Sequence, residues 1–166
     1  LRRIYSEYPD FRGKKVVVYA PTLRVGRDIS AETAELAAAF SAPEYIFVVK
    51  KHPLTDMDFE HGENCIIDDD FTTLEMLFAA DCVICDYSAV IFEAAIIGKP
   101  MFFYTFDYDT YGVERDFYID YKAEMPGLMS PDPQMLERAV ANDDCDLSRV
   151  RAFAHKYVEN QENCTK

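Results

Sequence analysis

The chain has 166 residues, a formal net charge of −13 and a residue composition that is 49% hydrophobic. This length and composition predict one folded domain over residues 1–166, ending in a polar tail at 160–166, and exclude a disordered chain. The acidic balance argues against a nucleic-acid surface and against direct membrane contact, and no stretch approaches the roughly 20 apolar residues of a membrane span.

Strand-like and helix-like segments alternate along the chain. We expect Ser30 to cap the first long helix, and a capping box of Thr72 and Glu75 to begin the next. Residues 106–127 mix tyrosines with acidic residues, lack helical periodicity and are predicted to form a long aromatic surface loop. Apolar strands joined by helices predict an α/β fold, a Rossmann-like parallel sheet flanked by helices. The predicted strands are 15–19, 45–49, 65–67, 82–85 and 101–104, and the predicted helices 31–40, 72–80, 89–97, 134–142 and 147–160.

The cysteines and the acidic run indicate no metal site. Cys82 and Cys85 have C-x-x-C spacing, but an odd separation within a strand sends their side chains to opposite faces of the sheet. No second pair has zinc-finger spacing, so we expect free thiols and no metal. We interpret the acidic run 68–70 as a solvated loop, since the acidic pair of a phospho-acceptor site is absent after the first strand.

Polar side chains follow the strands at one predicted edge of the sheet. Ligands of open parallel sheets bind at the carboxyl ends of the strands, so these side chains predict a substrate site. They are Thr22 and Arg24 after the first strand, Lys50, Lys51 and His52 after the second, the acidic run 68–70 after the third, Asp86 and Ser88 after the fourth, and residues 104–107 after the fifth.

Each candidate also has a structural interpretation. The Ser88 hydroxyl, at a helix start, suits a phosphate, but it could serve only as a helix cap. His52 is either a phosphate ligand or general acid–base, or an exposed loop residue, and Asp86 either binds a ligand or forms the turn. Glu93 falls in an apolar helical stripe, where a carboxylate needs a partner or a ligand hydroxyl, unless it lies on the solvated flank.

Four motifs carry a resemblance to a known family: YAPTLR at 19–24, KKHP at 50–53, AADCVICDYSAVIFEAAIIGKPMFFYTFDYDTY at 79–111 and RDFYIDYKAEMPG at 115–127. Together they resemble the C-terminal half of the CDP-glycerol glycerophosphotransferases, the teichoic-acid primases and polymerases. The resemblance implies a GT-B architecture of two Rossmann-like domains, with this chain as the second, donor-binding domain. It also implies a reaction without metal or other cofactor.

The resemblance further implies the transfer of glycerol phosphate, or a related alditol phosphate, from a CDP-alditol to a lipid-linked cell-wall or capsule polymer. The expected mechanism is displacement at the β-phosphorus by an acceptor hydroxyl, with CMP leaving. The acceptor would be held through an N-terminal domain outside this sequence, so the 166 residues alone are expected to be inactive. The full-length enzyme is expected in the cytoplasm, peripheral to the inner face of the cell membrane.

By the same resemblance, His52 contacts the donor phosphate or takes part in catalysis, and Ser88 holds the pyrophosphate. Arg115, which precedes the aromatic motif, is expected to bind the substrate and stabilise the transferred or leaving phosphate. The chain departs from the family pattern at Ala89, where a second serine is common, and at Asp116, where glycine is usual. Two alternatives stay open, and these departures add weight to the second of them. One is a glycosyltransferase of the same fold that uses a nucleotide sugar, and the other is a catalytically silent nucleotide-binding or interaction domain.

Overall fold

A parallel β-sheet organises the chain. The computed structural model describes residues 1–52, 54–55, 57–114 and 119–158, and within these ranges six strands pair in the order β3-β2-β1-β4-β5-β6, all parallel. The strands are β1 (Lys15–Ala20), β2 (Tyr45–Val49), β3 (Cys65–Ile67), β4 (Cys82–Cys85), β5 (Met101–Tyr104) and β6 (Met129–Ser130).

Helices connect the strands and cover both faces of the sheet. Within the described ranges, none of them is long and apolar enough to cross a membrane. A 3-10 turn at Pro9–Arg12 precedes β1. The helices are α1 (Arg2–Glu7), α2 (Ser30–Ala39), α3 (Thr73–Ala79), α4 (Val90–Ile96), α5 (Tyr108–Glu114), α6 (Tyr121–Glu124), α7 (Pro133–Ala141) and α8 (Leu147–Tyr157).

The core consists of two apolar clusters, one on each face of the sheet. Helices α2 and α7 pack on one cluster, and helices α3, α4 and α8 pack on the other. Cys82 belongs to the first cluster and Cys85 to the second, which confirms that their side chains point to opposite faces. Because the strands are buried on both faces, they are apolar along their whole length, and this is why the sequence identified them.

The structure confirms the five predicted strands, their parallel pairing and the Thr72–Glu75 capping box at the start of α3. The prediction that Ser30 caps α2 is wrong, because Ser30 is the first residue inside that helix. Its N–H and hydroxyl both donate to the Asp28 carboxylate, at 2.9 and 2.6 Å. Helix α1 and strand β6 were not predicted from the sequence.

The segment 106–127 is not the predicted surface loop, since it contains α5 and α6. Tyr111 and Tyr121 are buried, and the Tyr121 ring packs edge-on against Phe103 of β5 at 5.9 Å. Helix α6 begins at the Asp120 cap and has four residues, too few to give a helical repeat in the sequence. Tertiary contacts, rather than periodicity, therefore fix this segment.

The acidic run 68–70 is only partly the solvated loop that was expected. Asp69 and Asp70 are exposed, but Asp68 is 1% exposed. Its carboxylate accepts hydrogen bonds from the Lys50 ammonium at 2.7 Å and from the Tyr8 hydroxyl at 2.8 Å. Asp68 therefore joins the ends of β2 and β3 to the N-terminal segment.

Gly127 lies where α6 returns to the sheet. A Cβ atom at this position would overlap the main-chain carbonyl oxygen of Met101, so glycine is required for close approach of the two backbones. This contact brings the chain into position to form β6 beside β5.

The strand order has its switch point between β1 and β4. The chain proceeds from β1 to β2 and β3 on one side, and from β4 to β5 and β6 on the other. The crevice outside the carboxyl ends of two such strands is where open α/β sheets bind ligands. Here it lies between the β1–α2 loop, residues 21–29, and the turn at residues 86–88, which we call the DYS turn.

Candidate functional site

The Asp86 carboxylate lies at this switch point and is fully buried. It accepts hydrogen bonds from the Thr22 N–H at 2.8 Å and the Thr22 hydroxyl at 2.6 Å. It also accepts from the N–H groups of Tyr87 and Ser88, at 2.6 and 3.2 Å. Asp86 thus fastens the β1–α2 loop to the DYS turn, and its oxygens are directed at protein donors.

The Arg24 guanidinium lies between two buried carboxylates. One terminal nitrogen is 3.0 Å from Asp86, while Nε and the other terminal nitrogen donate to Asp107 at 2.8 and 3.2 Å. Burial by itself would lower the pKa of Arg24, but the hydrogen bond to Asp107 and the charges of both carboxylates outweigh burial and raise it. The Thr22 carbonyl accepts a further hydrogen bond at 3.0 Å, so each of the three guanidinium nitrogens donates to a protein group.

Aromatic rings enclose this ionic group. Tyr87 and Tyr111 stack with their ring centroids 4.1 Å apart, and the Arg24 guanidinium lies 4.4 Å from the Tyr111 centroid. The Tyr121 hydroxyl donates a hydrogen bond to the main-chain carbonyl of Asp86. Burial, reinforced by the nearby Asp107 charge, raises the pKa of Tyr87. The DYS turn is therefore packed as well as hydrogen-bonded.

Ser88 lies half-buried before α4, as the sequence indicated. Its hydroxyl oxygen accepts from the Val90 N–H at 3.3 Å, so it does help to cap the helix. That bond uses an oxygen lone pair and leaves the hydroxyl proton available to a ligand. Ala89, the departure from the family pattern, is the N-cap residue of this seven-residue helix and has no hydroxyl to add.

Glu93 does not lie in the apolar stripe of α4 where the sequence analysis placed it. The buried residues of this helix are Ile91, Ala94 and Ala95, whereas Glu93 is exposed. The solvated-flank interpretation is the correct one for its location, and a ligand contact from this exposed position stays a prediction.

His52 and Lys51 follow β2, which is separated from β4 by β1 alone. Two strand spacings amount to about 10 Å across the sheet edge. The His52 Nδ1 accepts from the Leu54 N–H at 3.1 Å, so the neutral ring carries its proton on Nε2. The Lys51 ammonium is 3.1 Å from Asp69, in a pair whose side chains are 25% and 65% exposed. Such a pair is weak enough to exchange for a ligand anion.

Two further charged residues lie at the site, and the sequence predicted no specific contact for either. Asp107 follows β5 and is buried against Arg24, and Arg27 reaches it at 3.4 Å while also pairing with Glu32 at 2.8 Å. Beside them a cleft of about 380 Å3 opens between the β1–α2 loop and α5, with Tyr111 in its wall. Asp107 could have been found because it follows the fifth predicted strand, and the end of that strand, β5, lies beside the end of β4.

Arg115 and Asp116 lie outside the described residues, so the role predicted for Arg115 stays a prediction. Within the described ranges, no three His, Cys, Asp or Glu side chains are grouped so that they could hold a metal ion.

Comparison with known proteins identifies a family and its structural relatives. A family profile described as CDP-Glycerol:Poly(glycerophosphate) glycerophosphotransferase matches residues 1–164. The chain is 31% identical over 169 residues to the teichoic acid poly(ribitol-phosphate) polymerase of Bacillus spizizenii strain W23, covering 95% of this chain and 27% of that protein. The chain thus spans about a quarter of the length of this curated relative.

Two solved structures resemble the fold. One is a variant of the wall teichoic acid polymerase TagF soaked with CDPG, with TM-score 0.71 and 27% identity over 96% of this chain and 43% of that one. The other is the calicheamicin glycosyltransferase CalG4, with TM-score 0.65 over 88% of this chain and 40% of that one. At 15% identity, CalG4 shows the fold alone. The predicted fold, the Rossmann-like half of a GT-B glycosyltransferase, is confirmed.

Proposed function

Because the chain belongs to the CDP-glycerol:poly(glycerophosphate) glycerophosphotransferase family, we propose that it is the donor-binding domain of an alditol-phosphate transferase. The enzyme would transfer glycerol phosphate, or a related alditol phosphate, from a CDP-alditol to a lipid-linked cell-wall or capsule polymer. The observation that carries this proposal is the meeting of the β1–α2 loop and the DYS turn at the switch point, with the His52 loop one strand further along. Each of these three segments belongs to a motif that resembles the family.

In the proposed reaction an acceptor hydroxyl attacks the β-phosphorus of the CDP-alditol. A new P–O bond forms, the bond from this phosphorus to the oxygen it shares with CMP breaks, and CMP leaves with that electron pair. The acceptor proton passes to a base outside this chain. The contribution of this chain is to position the diphosphate and to stabilise its charge.

The donor groups available for that charge differ from those that the sequence suggested. The Nε2–H of His52 and the hydroxyl of Ser88 remain able to donate to phosphate oxygens, and Lys51 adds a cation at the same edge. Arg24 and Asp86 are engaged with each other, so we propose that they shape the site without contacting the substrate.

The remaining predicted contacts complete the proposal. Thr22 would act with Asp86 in holding the β1–α2 loop, through its N–H and hydroxyl. Glu93, exposed on the first turn of α4, would accept hydrogen bonds from hydroxyl groups of the donor. Arg115 would add a second cation, from a position outside the described residues.

The acceptor polymer and the membrane are proposed to be handled elsewhere in the full-length enzyme. We expect that enzyme to lie in the cytoplasm, peripheral to the inner face of the membrane, because its acceptor is lipid-linked. The net charge of −13 gives this segment no attraction to anionic lipid.

Calorimetric titration of the chain with CDP-glycerol, CDP-ribitol and UDP-glucose tests the proposal. We expect binding of the cytidine diphosphates in preference to UDP-glucose. Losing a donor to a charged group costs roughly 1.5–3 kcal/mol, so His52→Ala should weaken binding by about 10- to 150-fold without changing the thermal midpoint. The matched control is His61→Ala, which removes an exposed imidazole and should leave affinity unchanged.

Other results would favour the alternatives. A preference for UDP-glucose would favour a glycosyltransferase that uses a nucleotide sugar. Failure to bind any of the three at millimolar concentration would contradict donor binding and favour a silent interaction domain. Equal losses in the His52 and His61 variants would contradict the role of His52.

A further inference from the structure

Asp107 is a buried carboxylate that the proposed reaction does not use. It lies just beyond the end of β5 and accepts two hydrogen bonds from Arg24, through Nε at 2.8 Å and a terminal nitrogen at 3.2 Å. This bidentate arrangement fixes the plane of the guanidinium as well as its position. Arg27, which is 44% exposed, supplies a second, longer contact at 3.4 Å.

Arg24 transmits this constraint to the DYS turn. Its third nitrogen lies 3.0 Å from Asp86, the residue whose other oxygen accepts from the N–H groups of Tyr87 and Ser88. A fully buried carboxylate needs a cation held beside it, because an unpaired charge there would be strongly destabilised. Asp107 holds one edge of the guanidinium, and this restricts Arg24 to a single orientation against Asp86.

We infer that Asp107 is a positioning residue for the DYS turn and acts on Ser88 through Arg24. The Asp107 carboxylate also interacts directly with the Tyr87 hydroxyl, so the effect transmitted by Arg24 is measured at Ser88. The effect of Asp107 on donor binding rests on the proposed function, whereas its effect on the turn does not. Without its charge, Arg24 keeps a single carboxylate partner beside the Thr22 carbonyl, and the plane of the guanidinium is held less firmly. The Tyr87 and Ser88 amides then lose a rigid acceptor, and the Ser88 hydroxyl loses its fixed direction.

Amide hydrogen exchange of the 15N-labelled chain tests this inference without any ligand. In Asp107→Asn we expect the Tyr87 and Ser88 amides to exchange at least tenfold faster, while the amides of β2 keep their protection. The control is Asp109→Asn, an exposed acidic residue on α5, which should change neither set. Asp107→Glu retains the carboxylate and should recover at least half of the lost protection on a logarithmic scale.

Combining the change with Arg24→Gln shows whether Asp107 acts through Arg24. In that background, Asp107→Asn should accelerate Ser88 exchange by less than twofold, because the intermediary is already absent. If Asp107→Asn does not fold, Arg24→Lys provides the second test. Lysine keeps the charge but cannot bridge two carboxylates, so Ser88 exchange should again rise about tenfold.

Several results would overturn the inference. They are unchanged Ser88 exchange in Asp107→Asn or Arg24→Lys, equal acceleration in β2, or full additivity with Arg24→Gln. Titration with CDP-glycerol then separates the two proposals. If the parent chain binds, Asp107→Asn should weaken binding at least fivefold. If the parent chain does not bind, the proposed function fails, and the exchange data still decide the role of Asp107.

Discussion

Replacing Asp86 by asparagine distinguishes a carboxylate that holds the fold together from one that is reserved for a ligand. The substitution keeps the shape of the side chain but removes its charge and turns one oxygen into an NH2 donor. That donor would face either Arg24 at 3.0 Å or the Tyr87 N–H at 2.6 Å, and Asp107 would be the one carboxylate still paired with Arg24. Breaking a buried pair in this way costs about 3–5 kcal/mol, a large part of a typical stability of roughly 5–15 kcal/mol.

Urea unfolding followed by circular dichroism measures this loss. With a slope of about 2 kcal/mol per molar urea, the midpoint should fall by about 1.5–2.5 M at an unchanged slope. Asp10→Asn, in an exposed pair with Lys14 at 3.9 Å, should shift the free energy of unfolding by less than about 0.5 kcal/mol. A loss below about 1 kcal/mol for Asp86→Asn would refute the structural role, and the carboxylate would then be assigned to the ligand.

Three further predictions concern stability. Gly127→Ala drives a methyl group into the Met101 carbonyl and should cost about 3 kcal/mol or more in urea unfolding. Lys50→Met leaves the Asp68 carboxylate buried without its cation and should lower the free energy of unfolding by about 3–5 kcal/mol. Tyr19→Phe removes a fully buried hydroxyl that has no hydrogen-bond partner among the described residues, so it should be neutral or stabilise the chain by about 1 kcal/mol at pH 7. Burial raises the pKa of Tyr19 above its usual 10.0, so beyond pH 10 the unfolded chain releases this proton while the folded chain keeps it, and the free energy of unfolding falls. Phenylalanine has no such proton. Between about pH 9 and 12, the free energy of unfolding should therefore decline less steeply in the Tyr19→Phe variant.

Each of these changes has a matched control. Gly13→Ala meets no atom within 4 Å and should be nearly neutral, and Lys51→Met removes a pair whose Asp69 partner is 65% exposed, at a cost below about 1 kcal/mol. Tyr8→Phe breaks a bond to Asp68 and should cost about 1 kcal/mol, the opposite sign to Tyr19→Phe. If a control and its test variant lose equal stability, the structural explanation for that pair is wrong.

The sheet could be predicted from the sequence because its signals are local. Each long strand is an unbroken apolar run, and the capping box at α3 lies within four residues. The segment 106–127 could not be predicted in this way, because its two helices depend on contacts with β4, β5 and the β1–α2 loop that no short window contains. The sequence left Glu93 open between the apolar stripe and the solvated flank for a related reason, since the packing of α4 against α8 decides which face of the helix is covered.

The sequence predicted which residues lie at this edge of the sheet, but not the hydrogen bonds and ion pairs among them. The rule that ligands bind at strand ends located Ser88, His52 and Lys51 on one edge of the sheet. The contact between Arg24 and Asp107 could not be predicted, because the two residues are 83 positions apart and each is an available charge when the sequence is considered alone. Pairing across the sheet engages both charges with protein groups.

The most direct test of donor binding at this edge is a crystal structure of the chain grown with CDP-glycerol. We expect the diphosphate to accept hydrogen bonds from the Ser88 hydroxyl and from Nε2 of His52, with the Asp86–Arg24 contact unbroken. Diphosphate density beyond the amino ends of the strands, or more than about 6 Å from both side chains, would contradict the account, since a bound phosphate must lie within roughly 3 Å of its donors.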